Sequence, residues 1–186
     1  MRLGLGVATV LMGCLLSLIW FTQSVLFPQI PPEQCEPLNL LVTLEDLPQG
    51  TVISAIVQPA TDYQLPSAGV ALNVKGSTVS HSVVWHKAIW TAWGNFKDVS
   101  NFSFKRGPNG VRDDIPEGLL LPPLHADESH IGCGMTVIGR VCAFAARYSN
   151  IVAWLQVELA SDNRVDEFAH LVGVIDARMQ SCIASD

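Results

Sequence analysis

Twenty-five consecutive residues without a charge, Leu3 to Phe27, constrain this chain more than any other stretch. A helix rises about 1.5 Å per residue, so such a run is long enough to cross a bilayer core of about 30 Å. Arg2 is the only charged side chain ahead of it, and no Lys or Arg occurs again until Lys75. The cationic flank stays in the cytoplasm, which puts the rest of the chain on the far side of the membrane. Three readings of residues 1–27 fit. The segment is an uncleaved signal-anchor; or a secretory signal cleaved near Val25, although it lacks an A-x-A-like site; or a lipoprotein signal in which Leu11-Met12-Gly13-Cys14 is the lipobox and Cys14 takes the lipid. Apolar residues continue past Cys14 to Phe21, where a lipoprotein usually turns polar. Each reading places residues 28–186 in the periplasm, a lumen or at the cell surface.

Pro28, Pro31, Pro32 and Pro37 make residues 28–37 an extended stalk. Residues 38–186 are enough for one domain with its own core. A net charge of −6 and a pI near 5.2 argue against nucleic acid or an anionic lipid surface as partner. Four cysteines lie beyond the apolar segment, and an even count in an oxidising compartment suggests two disulfides. Of the three connectivities, Cys133–Cys142 and Cys35–Cys182 are favoured. The first closes a short loop, worth roughly 3 kcal/mol in the loop-entropy treatment, and the second ties the start of the domain to its end, worth about 4–5 kcal/mol.

The periodicity predicts an α+β fold: an antiparallel sheet of five or six strands, with a carboxy-terminal helix packed on it. Thr43-Leu44-Glu45-Asp46 has the character of a capping box and is stopped by Pro48 and Gly50. Strands are expected at 51–57, 69–74 and 77–86. In the last, Val79, His81, Val83 and Trp85 point one way. A helix is expected over 87–97, with Ile89, Trp93 and Phe96 on one face, then a polar connection over 95–116. Residues 135–147 and 151–159 form the strongest strand pair, turned by Tyr148-Ser149-Asn150. A final helix spans 164–181. It turns Phe168, Leu171, Val172, Ile175 and Met179 inward and leaves Asp166, Glu167, Asp176 and Arg178 mainly in water.

Several of these pieces resemble known proteins. His125-Ala126-Asp127-Glu128-Ser129, Arg147-Tyr148-Ser149-Asn150, the Asp176-Ala177-Arg178 helix end and Leu44-Glu45-Asp46-Leu47-Pro48-Gln49-Gly50 resemble turns of small, secreted or lipid-anchored bacterial α+β proteins of unknown function. Cys142 to Asn150 also resembles the last hairpin in the extracellular sensor domain of mycobacterial receptor Ser/Thr kinases. Tyr148 stands where those turns carry glycine, and Ala126 where they carry glycine before the Asp. The resemblance implies a disulfide-bonded extracytoplasmic accessory or sensing domain.

Motifs for catalysis are sparse. The chain has no G-x-S-x-G, no H-E-x-x-H and no phosphate loop. His125, Asp127 and His130 are the densest set of metal-ligand types, and they would suit zinc with water in the fourth position. A polar turn that caps backbone amides explains them equally. Asp113, Asp114 and Glu117 read as a solvated charge run. His81 and His86 flank Trp85, and a histidine beside a pocket can sense pH; His170 reads as a surface histidine. Trp85, Trp90 and Trp93, with Phe96 nearby, are the candidate lining of a groove for an apolar ligand or partner. The expected function is therefore a membrane-anchored, non-catalytic binding or sensor-like domain that needs no cofactor. The alternatives are a structural subunit of a membrane complex, or an envelope metalloprotein or hydrolase using the His125–Asp127–His130 set.

Overall fold

Strand pairing at the last hairpin sets the architecture. In a computed structural model, the described residues are 12–14, 35–47, 56–59, 65–74, 77–104, 115, 119–136, 139–159 and 165–184, with backbone alone at 56–59, 74, 77 and 136. Six strands form one antiparallel sheet: β1 (Ile56–Pro59), β2 (Ser67–Val74), β3 (Ser77–Trp85), β4 (Glu128–Thr136), β5 (Gly139–Tyr148) and β6 (Ile151–Leu159), in the spatial order β1-β2-β3-β6-β5-β4. Two three-stranded meanders thus meet where β3 pairs with β6, with His81 opposite Leu155. The β5–β6 turn is Ser149-Asn150, flanked by the Tyr148–Ile151 pair. Ser149 has φ 54°, the left-handed conformation that a tight hairpin requires at its first central position.

Three helices cover this sheet: α1 (Pro37–Leu40), α2 (Ile89–Ser103) and α3 (Val165–Ile183). β5 is buried on both sides, because alternate residues face different layers. Cys142, Phe144, Ala146 and Tyr148 join the core under α1 and α3, while Val141, Ala143 and Ala145 face α2. Phe144, Leu155, Phe168, Ile175 and Met179 are fully buried in the first layer. Each such side chain contributes about 1.5–3 kcal/mol of transfer free energy. The second layer is thinner: Ala92, Phe96 and Phe104 rest on the small side chains of Ala143 and Ala145 and on Val152.

Both expected disulfides are present. Cys133 and Cys142 are directly opposed across β4 and β5, and Cys35 joins Cys182 in the last turn of α3. Cys35 is wholly buried, so packing begins within the stretch expected to be stalk, whose residues 28–34 lie outside the described residues. The amino-terminal segment is described only at 12–14, which are helical, so its reading as an anchor also lies outside them. No helix among the described residues is long and apolar enough to cross a membrane.

Three expectations are corrected. α2 continues to Ser103 instead of ending near 97, because Ala92, Phe96, Ser100 and Ser103 recur at helical spacing and bury against β5 and β6. A strand, β4, begins at Glu128 in place of a polar turn; Ile131 and Cys133 face the α1–α3 layer between residues that face the other way. Asp176 is 4% exposed, not solvated, because a tyrosine and a histidine satisfy its carboxylate.

Candidate binding surface along the α2 flank

β3 delivers the chain to α2 at the sheet end that carries the β5–β6 turn. The His86 N–H donates to the Asn150 carbonyl, and Asn150 Nδ2 returns a bond to the His86 carbonyl. Ala88 then sits extended at the N-cap, its carbonyl accepting from Thr91 Oγ1 at 2.7 Å. The far end of α2 is held by Trp154 on β6, whose Nε1–H donates to Ser103 Oγ at 2.7 Å. Just beyond, Phe104 stacks on His130 of β4 with ring centroids 3.9 Å apart. The helix is therefore fixed at both ends and along its inner face.

Its outer positions are unusual for a helix so firmly seated. Ile89, Trp90 and Trp93 are 56%, 64% and 45% exposed. Lys97 Nζ lies 3.5 Å above the centre of the Trp93 ring, a cation–π contact one turn further on. The same flank borders a groove of about 510 Å3 between α2 and β4, lined by Phe96, Lys97, Ser100, Asn101, Ser129 and His130, with Glu128 at one side. Ser100 Oγ is buried there without a hydrogen-bond partner among the described residues. Such a volume is in the range of small-ligand sites.

Of the three tryptophans singled out in the sequence, Trp90 and Trp93 share this flank. Trp85 does not: it is 5% exposed and packs in the core on the opposite side of the sheet. Sequence periodicity alone does not separate them, since a strand and the helix after it read as one aromatic cluster.

His125, Asp127 and His130 are not brought together. His125 Nδ1 lies 2.8 Å from Asp176 Oδ2, and its backbone N–H donates to Asp176 Oδ1. Tyr148 completes that site through its hydroxyl, and its pKa is pushed far above the usual phenol value by burial first and then by Asp176. Asp127 Oδ2 instead accepts from Arg147 and from the Ser149 N–H, while the other guanidinium nitrogen of Arg147 holds Glu128 at 3.0 Å. His130 belongs to the α2–β4 groove. Among the described residues no group of three or more His, Cys, Asp or Glu is placed to hold a metal ion. Asp113, Asp114 and Glu117 lie outside the described residues.

The histidines near Trp85 are buried. His81 Nδ1 accepts the Val42 N–H at 3.0 Å, and burial, reinforced by Arg178, lowers its pKa to about 3 against a smaller opposing pull from Asp46. His86 is lowered too, chiefly by burial, with Asn95 acting the other way. His170 is exposed on α3, and Cys14 is an exposed free thiol. Comparison with family models, with curated proteins and with solved structures finds no match to this chain.

Proposed function

We propose that this protein is a membrane-tethered extracytoplasmic binding module, sensor-like and without catalytic activity, that meets its partner through the flank of α2 and the α2–β4 groove. The observation that carries this reading is the exposure of Trp90 and Trp93 on a helix whose inner face is already committed to the sheet. Large aromatics left in water beside a groove are surfaces that proteins use for contact. The two disulfides suit an oxidising compartment, and the charge-free run 3–27 supplies the tether. The resemblance to secreted bacterial domains and to receptor-kinase sensor domains agrees with the same compartment.

Two measurements on the full chain in its native membrane test the reading. A cysteine placed at Ala177, exposed on α3 and away from the groove, should be protected from a membrane-impermeant maleimide applied to the cytoplasmic side of sealed membranes and react once they are permeabilised; reaction from the cytoplasmic side of sealed membranes would remove the extracytoplasmic assignment. A photo-reactive residue at Asn101, on the groove, should give an adduct that is lost in the Trp90→Ala/Trp93→Ala variant. An equal adduct from Ser80, on the far part of the sheet, would show that the groove has no privileged role.

A further inference from the structure

The geometry points to what the amino-terminal end of this flank meets: it docks on the same bilayer that tethers the chain, with Ile89, Trp90 and Trp93 entering the lipid interface, which leaves the α2–β4 groove from Phe96 to His130 for any further partner. This inference rests on the tethered reading above.

α2 starts immediately after β3, whose Trp85 pairs with Ile151 at the turn end of the sheet. α3 runs toward that same end. Its early residues His170 and Gly173 border Leu120 and Pro122, and the segment from there leads through His125, bonded to Asp176, to Asp127, whose N–H donates to the Arg147 carbonyl. Cys182 comes six residues after Asp176, about 9 Å further along the helix. The Cys35–Cys182 bond, where the tether enters the domain, therefore lies at the sheet end that carries Trp90.

Residues 28–34 separate Phe27, the end of the apolar segment, from the buried Cys35, and eight extended steps span at most roughly 28 Å. A domain held so short and entered at that end presents it to the membrane. Trp is the side chain most at home in the interfacial layer of a bilayer, and lysines beside it keep their ammonium groups in the headgroups while their stems lie along apolar surface. Lys87 is exposed just before the helix, and Lys97 caps the Trp93 ring. Within the domain, Ile89 and Trp90 stay more than half exposed because the inner face of α2 is already filled by Ala92, Phe96 and Ser100. The net charge of −6 disfavours an anionic surface, so the contact relies on aromatic insertion and operates on neutral lipid.

The test uses the full chain in phosphatidylcholine vesicles containing lipids brominated near the headgroup. Tryptophan emission is recorded for the native sequence and for Trp90→Phe/Trp93→Phe, so that the difference isolates these two residues from Trp20, Trp85 and Trp154. Docking predicts that the difference emission is blue-shifted, lost in brominated vesicles and shielded from aqueous iodide. Emission that is unquenched by bromine and fully open to iodide would overturn it. Protection seen in native membranes but not in pure lipid would assign the surface to a protein partner and would also overturn it. Flotation of the vesicles after an alkaline wash reads the tether separately: a chain that fails to float removes the tethered reading, whereas one that floats with Trp90 and Trp93 open to iodide removes docking alone. Trp90→Phe and Trp93→Phe as single variants, each checked for both disulfides by mass, guard against a misfolded double variant.

Discussion

Tyr148 and Asp176 meet inside the protein, the hydroxyl donating to Oδ1 at 2.9 Å between β5 and α3. The same carboxylate accepts from the His125 N–H and engages its imidazole, so one buried side chain joins the sheet, a helix and the extended segment leading into β4. Asp176→Ala leaves the phenol and a backbone donor unpaired and should cost about 2–4 kcal/mol in chemical denaturation. Tyr148→Phe removes one donor only and should cost about 1–2 kcal/mol. Equal effects of the two substitutions would show that the His125 bonds carry nothing.

Acid should destabilise the domain through His81. Its folded-state pKa of about 3 lies below the ordinary value of 6.5, so between those limits the unfolded chain holds a proton that the native protein excludes. Stability then rises with pH across that window and levels off above it, at a slope of up to about 1.4 kcal/mol per pH unit for this group. His86 adds to the same trend. Urea midpoints from pH 3 to 8 should fall toward acid in the native sequence and fall less steeply in His81→Leu. An unchanged slope in that variant would assign the acid sensitivity elsewhere. His81 is thus a core residue kept neutral at physiological pH, not a sensor.

The two disulfides should differ in weight. Their half-cystines are 147 and 9 residues apart, so loop closure gives about 5 kcal/mol for Cys35–Cys182 and about 2.5 kcal/mol for Cys133–Cys142. Removing the long bridge as Cys35→Ala/Cys182→Ala should lower the guanidinium midpoint more than Cys133→Ala/Cys142→Ala. The reverse order would mean that pinning edge strand β4 matters more than closing the chain.

Ser149→Gly should stabilise. The left-handed φ of 54° costs a serine up to about 1 kcal/mol relative to glycine, and the backbone bonds to Asp127 and Arg147 survive the change. A rise in thermal midpoint is expected; a fall would show that the serine side chain contributes to the turn.

The α+β class, the alternating face of β3 and the inward face of α3 are legible in the sequence because each comes from local period, and the cysteine count gives two disulfides while leaving their pairing open among three connectivities. Other features are not. β4 is hidden because Glu128 and His130 precede a stretch broken by glycines, and its strand character comes from pairing with β5. The reach of α2 is hidden by Asn95, Asn101 and two serines, whose poor helix propensity is overridden by docking on Ala143 and Ala145. The burial of Asp176 is hidden because its partners lie 51 and 28 residues away, and helical spacing reports a face but not what waits across it. The α2–β4 groove escapes for the same reason: its walls are far apart in the chain.

The Cys35–Cys182 bond has a mechanical consequence. It closes the domain into a covalent ring, with entry and exit at a single point. A pull between the chain ahead of Cys35 and the chain beyond Cys182 runs through sulfur and bypasses the strands. The sheet, the α2 flank and the groove carry no load, so force applied between the two ends of the chain leaves their shape unchanged.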